Sequence, residues 1–484
     1  MLLLEISINR HSDIPLYQQL YDSLRQQIVN GILRKGQRLP ASRTLSKELG
    51  ISRNVIAKTF DHLIAEGYVT GKVGSGTFVA TELPENYLQS KDIKAHQNVV
   101  SISEVTGLPS FTFLDFDNRD TGTLQLPPFV ESAALDLFPY KSWHMLASAA
   151  YKEFAGRNSI PEDRKGLLSL RQGIANFLRY TRGVRCEADQ ILITSGIQQA
   201  LILSAYALLR HRKSAWMEDP GCPIARNAFA AFDATIYPVP VDDDGLDLEF
   251  GQKNYPAPDL IYISPAHQYP LGGSLSSKKR ESLLQWARDE EVWIIEDDAN
   301  GILRYNGAPA AALQGADATG KVIYLGSFNH VLPPTLGIAF MVLPNERIAS
   351  QFAILKNVFD QQSRMVDQSI LSRFIATGQF ERHIRQMRIV YKDRRDVMLA
   401  AASRELEGKL AVHQQSAGLH LLGWLNGKKS DIEISQKLKT KGIVARALSD
   451  YTIQFNRGPA LLLAYAGFHK FRIAHYLQKM NQVL

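Results

Sequence analysis

Two sets of polar residues in this 484-residue chain have the types and spacing to do chemistry. The first lies between Arg38 and Val79. Arg53, Asn54 and Lys58 share one face of a predicted helix, opposite Val55/Ile56, Thr59/Phe60 and Leu63/Ile64, which recur every four residues. Guanidinium, amide and ammonium groups on a solvent face can reach phosphate oxygens and base edges. A run from Gly71 to Gly76 follows, and its glycines allow a tight tip to approach a DNA backbone. The second set closes apolar runs: Ser195-Gly196, Asp219-Pro220-Gly221, Ser264-Pro265 and Asp297-Asp298. Ligand sites in parallel sheets form at such strand ends.

The elements that must carry the first set are legible locally. Ser42 is expected to cap a short helix with Leu45 and Leu49 inward, and Gly50 to end it in the left-handed conformation. Ser52 caps the next helix and Gly67 stops it. Tyr68–Thr70 and Thr77–Val79 read as a hairpin. Helix, turn, helix and wing is the order of a winged helix-turn-helix. An earlier helix, opened by Asp13 and Pro15 and running to Asn30, places Leu16, Leu20, Leu24 and Ile28 on one face, and residues 1–12 suggest a short strand with a loop. Residues 1–80 hold ten basic and six acidic side chains, so they carry +4 of the chain's +7, an electrostatic footprint for a polyanion.

The composition, 45% hydrophobic and 21% charged, is that of a soluble globular protein. Two cysteines, Cys186 and Cys222, give neither a disulfide framework nor a zinc site. The apolar start is too short for a signal peptide and no run is long enough to span a membrane, so the expectation is a cytoplasmic protein without membrane contact. The chain divides into a head (1–80), a polar aperiodic linker (81–112) and a large domain (113–484). In the last, strands such as QILITSG, DLIYISPA and EVWIIEDD alternate with amphipathic helices, which argues a mostly parallel sheet covered on both faces. A small α+β region closes the chain, with a short strand at Ile443–Ala445. Arg382, His383, Arg385, Arg388, Arg394 and Arg395 read as the solvated face of a helix.

The head resembles the GntR-type regulator head through Leu39-Pro40-Ala41-Ser42-Arg43, Leu49-Gly50-Ile51-Ser52-Arg53, Leu63-Ile64-Ala65-Glu66-Gly67 and Gly74-Ser75-Gly76-Thr77-Phe78-Val79. The resemblance implies double-stranded DNA as partner. Ser52, Arg53, Asn54 and Lys58 would face the groove, with Arg43, Thr44, Gly74, Ser75 and Gly76 near phosphates. The large domain resembles fold-type I aminotransferases, carried by Leu137-Phe138-Pro139, Thr194-Ser195-Gly196, Gln198-Gln199, Glu218-Asp219-Pro220-Gly221, His267-Gln268-Tyr269-Pro270, Glu296-Asp297-Asp298, Gly326-Ser327-Phe328 and Gly418-Leu419-His420 in order. Together they resemble the MocR/GabR family of transcription regulators, which implies a homodimer and a possible small-molecule effector.

The resemblance also implies a pyridoxal-phosphate pocket built on Ser195, Gly196, Gln198, Asp297 and the residue at 330. The family's imine-forming lysine is His330 here, which has no primary amine. Its phosphate arginine is Gly337, its cup hydroxyl is Ile197, and two aromatic neighbours are Cys222 and Ala299. Lys321 falls at the opposite end of the strand from His330. The expectation is therefore a DNA-binding regulator with no covalent pyridoxal phosphate, no catalytic residue and no metal. The competing expectation is a pyridoxal- or pyridoxamine-phosphate enzyme of aminotransferase type, using His330 as base.

Overall fold

The computed structural model describes residues 6, 8–10, 12–72, 75–84, 129–155, 163–305, 311–360, 364–427 and 429–484. The chain forms two compact units, Met1–Phe111 and Thr112–Leu484. The linker read at 81–112 falls outside the described residues from 85 onward.

The first unit is α1 (Leu16–Val29), α2 (Ser42–Leu49), α3 (Arg53–Ala65), β1 (Val69–Lys72) and β2 (Gly76–Val79). Its core is the set the periodicity marked: Leu20, Leu24, Ile28, Leu45, Ile56, Phe60, Leu63, Val69 and Val79. Gly50 (φ 63°) and Gly67 (φ 82°) take the left-handed region where α2 and α3 end. Ser52 Oγ accepts the Val55 N–H at 3.4 Å, capping α3. Ser42 is no cap: it is the first helical residue, and the cap position is Ala41, which makes no side-chain bond. Ile64 lies outside the apolar stripe and is exposed. The described residues among 1–12 form no strand. The wing is an antiparallel pair with Val69 opposite Val79 and Lys72 opposite Gly76. Residues 36–39 add a third, short run: Leu39 N donates to Thr77 O (2.8 Å) and Val79 N to Gln37 O (2.8 Å).

The second unit opens with α4 (Tyr140–Ala155), α5 (Leu168–Arg182), β3 (Ile191–Thr194), α6 (Ile197–Leu208), β4 (Ser214–Asp219), α7 (Pro223–Ala230), β5 (Thr235–Asp242), β6 (Gly245–Leu246) and α8 (Leu248–Asn254). It continues through β7 (Leu260–Ile263), α9 (Ser277–Asp289), β8 (Trp293–Asp297), β9 (Val322–Ser327), β10 (Ala339–Val342), α10 (Glu346–Phe359), α11 (Met365–Ala376) and α12 (Gln379–Glu405). The eight-stranded sheet runs β3-β10-β9-β8-β7-β4-β5-β6. Its centre is parallel, while β10 runs antiparallel to both neighbours and β6 folds back on β5. Apolar clusters cover both faces, as the continuous Ile/Leu/Val runs require.

A four-stranded sheet follows: β11 (Leu410–Val412), β12 (His420–Leu425), α13 (Asp431–Thr440), β13 (Arg446–Ala447), β14 (Ala460–Ala464) and α14 (Ile473–Asn481), ordered β11-β12-β14-β13. The strand expected at Ile443–Ala445 starts one residue later, because only Arg446 and Ala447 come into register with Leu462 and Leu461. The basic face read on α12 is also corrected. His383, Arg394 and Arg395 are buried, since this 27-residue helix lies within the unit. Arg395 Nη1 donates to Gln415 O (2.7 Å), Arg394 pairs with Asp136 (2.6 Å), and His383 Nε2 donates to Val331 O (2.6 Å). Arg382 and Arg385 remain exposed.

Asp219, read as a ligand-site residue at the end of β4, is fully buried and holds the fold. Its carboxylate accepts the N–H groups of Ile453 (2.8 Å), Gln454 (2.6 Å) and Phe455 (2.8 Å), tying the large sheet to the C-terminal region. Asp219→Ala leaves three donors without acceptors. It should lower unfolding stability by about 3 kcal/mol in urea titration, read by near-UV circular dichroism.

Candidate functional site

In the first unit, Arg43, Thr44, Ser52, Arg53, Asn54 and Lys58 are all exposed. Arg43 and Thr44 stand on the first turn of α2, and Arg53, Asn54 and Lys58 on the N-terminal half of α3. Lys58 Nζ sits 3.7 Å from the centroid of the Tyr17 ring, which holds the ammonium on the helix face. Ser75 and Gly76 are exposed on the wing, and Gly74 lies outside the described residues. Sequence reasoning missed two arginines here. Exposed Arg38 lies along the wing, with its Nε 2.9 Å from where a Cβ on Gly76 would stand. Arg10 Nη2 donates to Gly50 O (2.6 Å), closing the C-terminus of α2 at the turn.

The second unit holds a cavity of about 220 Å³ at the carboxyl ends of its central strands. The large sheet supplies Cys222, Tyr262, Asp297 and His330, and the small sheet's side supplies Arg446 and Tyr451. Gln198, Asp297 and His330 are thus brought together as expected, whereas Ser195 and Gly196 sit at the N-terminus of α6 and do not line the cavity. Lys321 lies at the far end of β9, its ammonium over the Trp293 ring.

Asp297 caps the following loop: Oδ1 accepts Ala299 N–H at 3.0 Å and Oδ2 accepts the Tyr262 hydroxyl at 2.5 Å. Burial raises its carboxyl above the usual range against these bonds. His330 Nδ1 lies 3.1 Å from Ala299 O. A carbonyl only accepts, so Nδ1 carries a proton, and the neutral ring keeps Nε2 as an acceptor. Burial pushes the Cys222 thiol up to about 11, so it is no thiolate at neutral pH. Burial likewise raises Glu218 to about 8 and lowers His267 to about 3.

Glu131 is a wall residue that the sequence reading did not find. Its Oε1 lies 2.6 Å from His420 Nδ1 and its Oε2 accepts the Tyr269 hydroxyl at 2.8 Å. His420 Nε2 is 2.9 Å from Pro270 O, so both ring nitrogens meet acceptors and the ring is an imidazolium. Burial opposes both charges. The attraction prevails, holding Glu131 down at about 2 and His420 above its ordinary value. The partners are 289 residues apart, which no local pattern reveals.

The turn before α6 is closed on itself. Ser195 N donates to Gln199 Oε1 (2.8 Å), and Ser195 Oγ donates to Asp360 Oδ2 (3.1 Å). Lys356 Nζ stands 3.6 Å from the same carboxylate oxygen. At Gly337 (φ 56°) the backbone is left-handed, and Arg364 runs past it to donate to Thr335 O (3.1 Å) and Leu336 O (2.9 Å). Among the described residues no cluster could hold a metal ion, and no helix is long and apolar enough to cross a membrane.

Residues 16–79 match the model of bacterial regulatory proteins of the gntR family, and residues 141–468 match aminotransferase class I and II. The chain is 32% identical to the probable rhizopine catabolism regulatory protein MocR of Rhizobium meliloti, over 95% of this chain and 92% of that one. It is 30% identical to the pyridoxine biosynthesis transcriptional regulator PdxR of Corynebacterium glutamicum, over 93% and 91%. Among solved structures, the α-aminoadipate aminotransferase LysN of Thermus thermophilus superposes with a TM-score of 0.67 at 26% identity, covering 74% of this chain and 92% of that one.

The Glu131–His420 pair sets a pH signature. Glu131 has a depressed folded pKa, so the stability it adds is full above its ordinary value of 4.5 and is lost as pH falls toward about 2. Glu131→Gln should be less stable than the parent at pH 6, and the gap should close steadily below pH 4.5 in denaturant titrations at stepped pH. A gap constant to pH 3 would contradict the ion pair.

Proposed function

The chain belongs to the family of transcription regulators that join a GntR head to an aminotransferase class I and II domain, and we propose how its parts divide the work. It is a DNA-binding regulator. Residues 1–80 form the reading head, 81–112 the linker, and 113–484 the module for dimerisation and effector sensing, in a cytoplasmic homodimer. Ser52, Arg53, Asn54 and Lys58 enter the major groove, with Arg53 and Asn54 reading bases. Arg43, Thr44, Gly74, Ser75 and Gly76 hold phosphates. The exposure of all these side chains that are described, on a capped helix pair with a paired wing, supports this placement.

The second module is catalytically silent and takes its effector in the cavity above β8. Pyridoxal phosphate is the group its fold implies, and the residues present do not fit it. The observation that carries this reading is His330 in the lysine's place, its Nδ1 committed to Ala299 O. The closed Ser195 turn beside Asp360 adds to it, since a carboxylate stands where a phosphate would need donors.

Two measurements test the reading. In gel shifts on the gene's own upstream DNA, Arg43→Ala should weaken all sequences alike and reduce the salt slope by about one. Arg53→Ala should instead flatten preference, costing about 1–3 kcal/mol at the bases it reads. If neither variant alters the shift, the head is wrongly placed. For the cavity, the protein is mixed with excess pyridoxal phosphate, reduced with borohydride and weighed intact. The mass should be unchanged. A stoichiometric adduct, or turnover lost in His330→Ala, would move the enzyme reading to the front.

A further inference from the structure

The cavity has a charge pattern that selects one class of ligand, an inference that rests on reading it as the effector site. A helix N-terminus draws an anion through its free N–H groups and dipole. At α6 the anion belongs to the chain itself. Asp360 Oδ2 takes the Ser195 hydroxyl at 3.1 Å, Gln199 Oε1 takes the Ser195 N–H at 2.8 Å, and Lys356 Nζ stands 3.6 Å from the carboxylate. The donors that would receive a phosphate are already engaged, and a phosphate placed there would lie beside a like charge that is only 23% exposed.

The opposite end lacks a cation. The bonds to Asp297 come from two neutral donors, the Tyr262 hydroxyl and the Ala299 N–H. Among the described residues no lysine or arginine forms an ion pair with it. The neighbouring His330 gives its Nδ1 proton to Ala299 O, so its other nitrogen offers a lone pair in the neutral ring. Glu131 is already matched by His420. Asn300 and His267 also line the cavity, and Asn300 Oδ1 and His267 Nε2 have no hydrogen-bond partner. A carboxylate without a cation, next to acceptors without donors, is satisfied by a ligand that brings N–H groups and positive charge.

We infer that the cavity takes a small unphosphorylated nitrogen base, its protonated nitrogen on Asp297, and that Asp360 excludes the phosphorylated form of the same molecule. Asp360 is thus a specificity residue: it acts on what can enter, not on a reacting atom.

The test is calorimetry of the full chain with pyridoxamine and with pyridoxamine phosphate, two probes that differ by the phosphate alone and carry no aldehyde. The parent should bind pyridoxamine about tenfold more tightly or better. Asp360→Asn should shift the ratio of the two affinities by about tenfold toward the phosphate. Asp297→Asn should weaken both probes. Ser195→Ala retains the carboxylate and should retain the discrimination, which keeps the test decisive if Asp360→Asn fails to fold. The inference is overturned if the parent does not bind pyridoxamine, if it prefers the phosphate, or if the ratio is unmoved in folded Asp360→Asn. Loss of discrimination in Ser195→Ala also overturns it. DNA gel shifts on the same samples separate the two readings. A parent that binds no DNA defeats the regulator reading, while the calorimetric ratio alone judges the ligand class.

Discussion

A fully buried ion pair between Arg182 and Asp298 sets the floor on which the cavity is built. Arg182 Nε and Nη2 donate to the two carboxylate oxygens at 2.6 and 3.0 Å, and the Tyr324 hydroxyl donates to Oδ2 at 2.7 Å. Arg182 is the last residue of α5, and Asp298 follows the last residue of β8. The pair therefore locks a helix end to a strand end. Burying two charges is expensive unless the geometry is good, and removing one partner costs on the order of 3–5 kcal/mol. Here the fork of the guanidinium meets the carboxylate with two bonds, and burial cannot strip its proton, because the Asp298 charge holds the guanidinium above its ordinary value. Gly301 is forced by this arrangement: a Cβ there would stand 1.9 Å from Asp298 Oδ1.

With that floor fixed, the acidic side chains at the strand ends divide into framework and site. Asp219 spends its oxygens on three backbone N–H groups, and Asp298 on Arg182 and Tyr324. Glu296 is buried on the N–H groups of Leu313 and Gln314. Only Asp297 of this group lines the cavity. This is why the fold survives while residues around the cavity change. Replacing a lysine by His330 or an arginine by Gly337 touches none of the bonds that position the strands. Fold and chemistry depend on different side chains of the same short segments.

How much was legible in the sequence follows the same division. The head was readable almost to the residue because its signals are local: a serine cap at Ser52, glycines with positive φ at Gly50 and Gly67, and a four-residue apolar repeat. Ser42 misled because a serine at the first helical position looks the same as one at the cap. The alternation of strands and helices gave the large sheet, since fully buried parallel strands are continuous apolar runs. The failures were of long range. A basic stripe on α12 reads as solvated until Asp136, Gln415 and Ala466 are known to face it. The Glu131–His420 pair and the Ser195–Asp360 bond join residues 289 and 165 positions apart, and no periodicity encodes either. At the site, the residues at strand ends could be located in advance, but the groups that oppose them could not.

The placement of the cavity within its unit bears on how an effector could be felt at all. A ligand shifts an equilibrium only by the difference in its affinity for two states, so its contacts must differ between them. The cavity wall is drawn from both sheets. Asp297 and His330 stand at or just beyond strand ends of the large sheet, while Arg446 lies on β13 of the small one and Tyr451 just after it. The two sides are joined beside the cavity through the Tyr269 hydroxyl, which donates to Glu131 and lies 3.4 Å from the Tyr451 hydroxyl. A molecule held by Asp297 at one end and by the small-sheet side at the other has a binding free energy that depends on the spacing of the two sheets. A molecule held by Asp297 alone has one that does not. The small sheet's contribution to the wall is therefore the physical requirement for sensing, as distinct from mere binding.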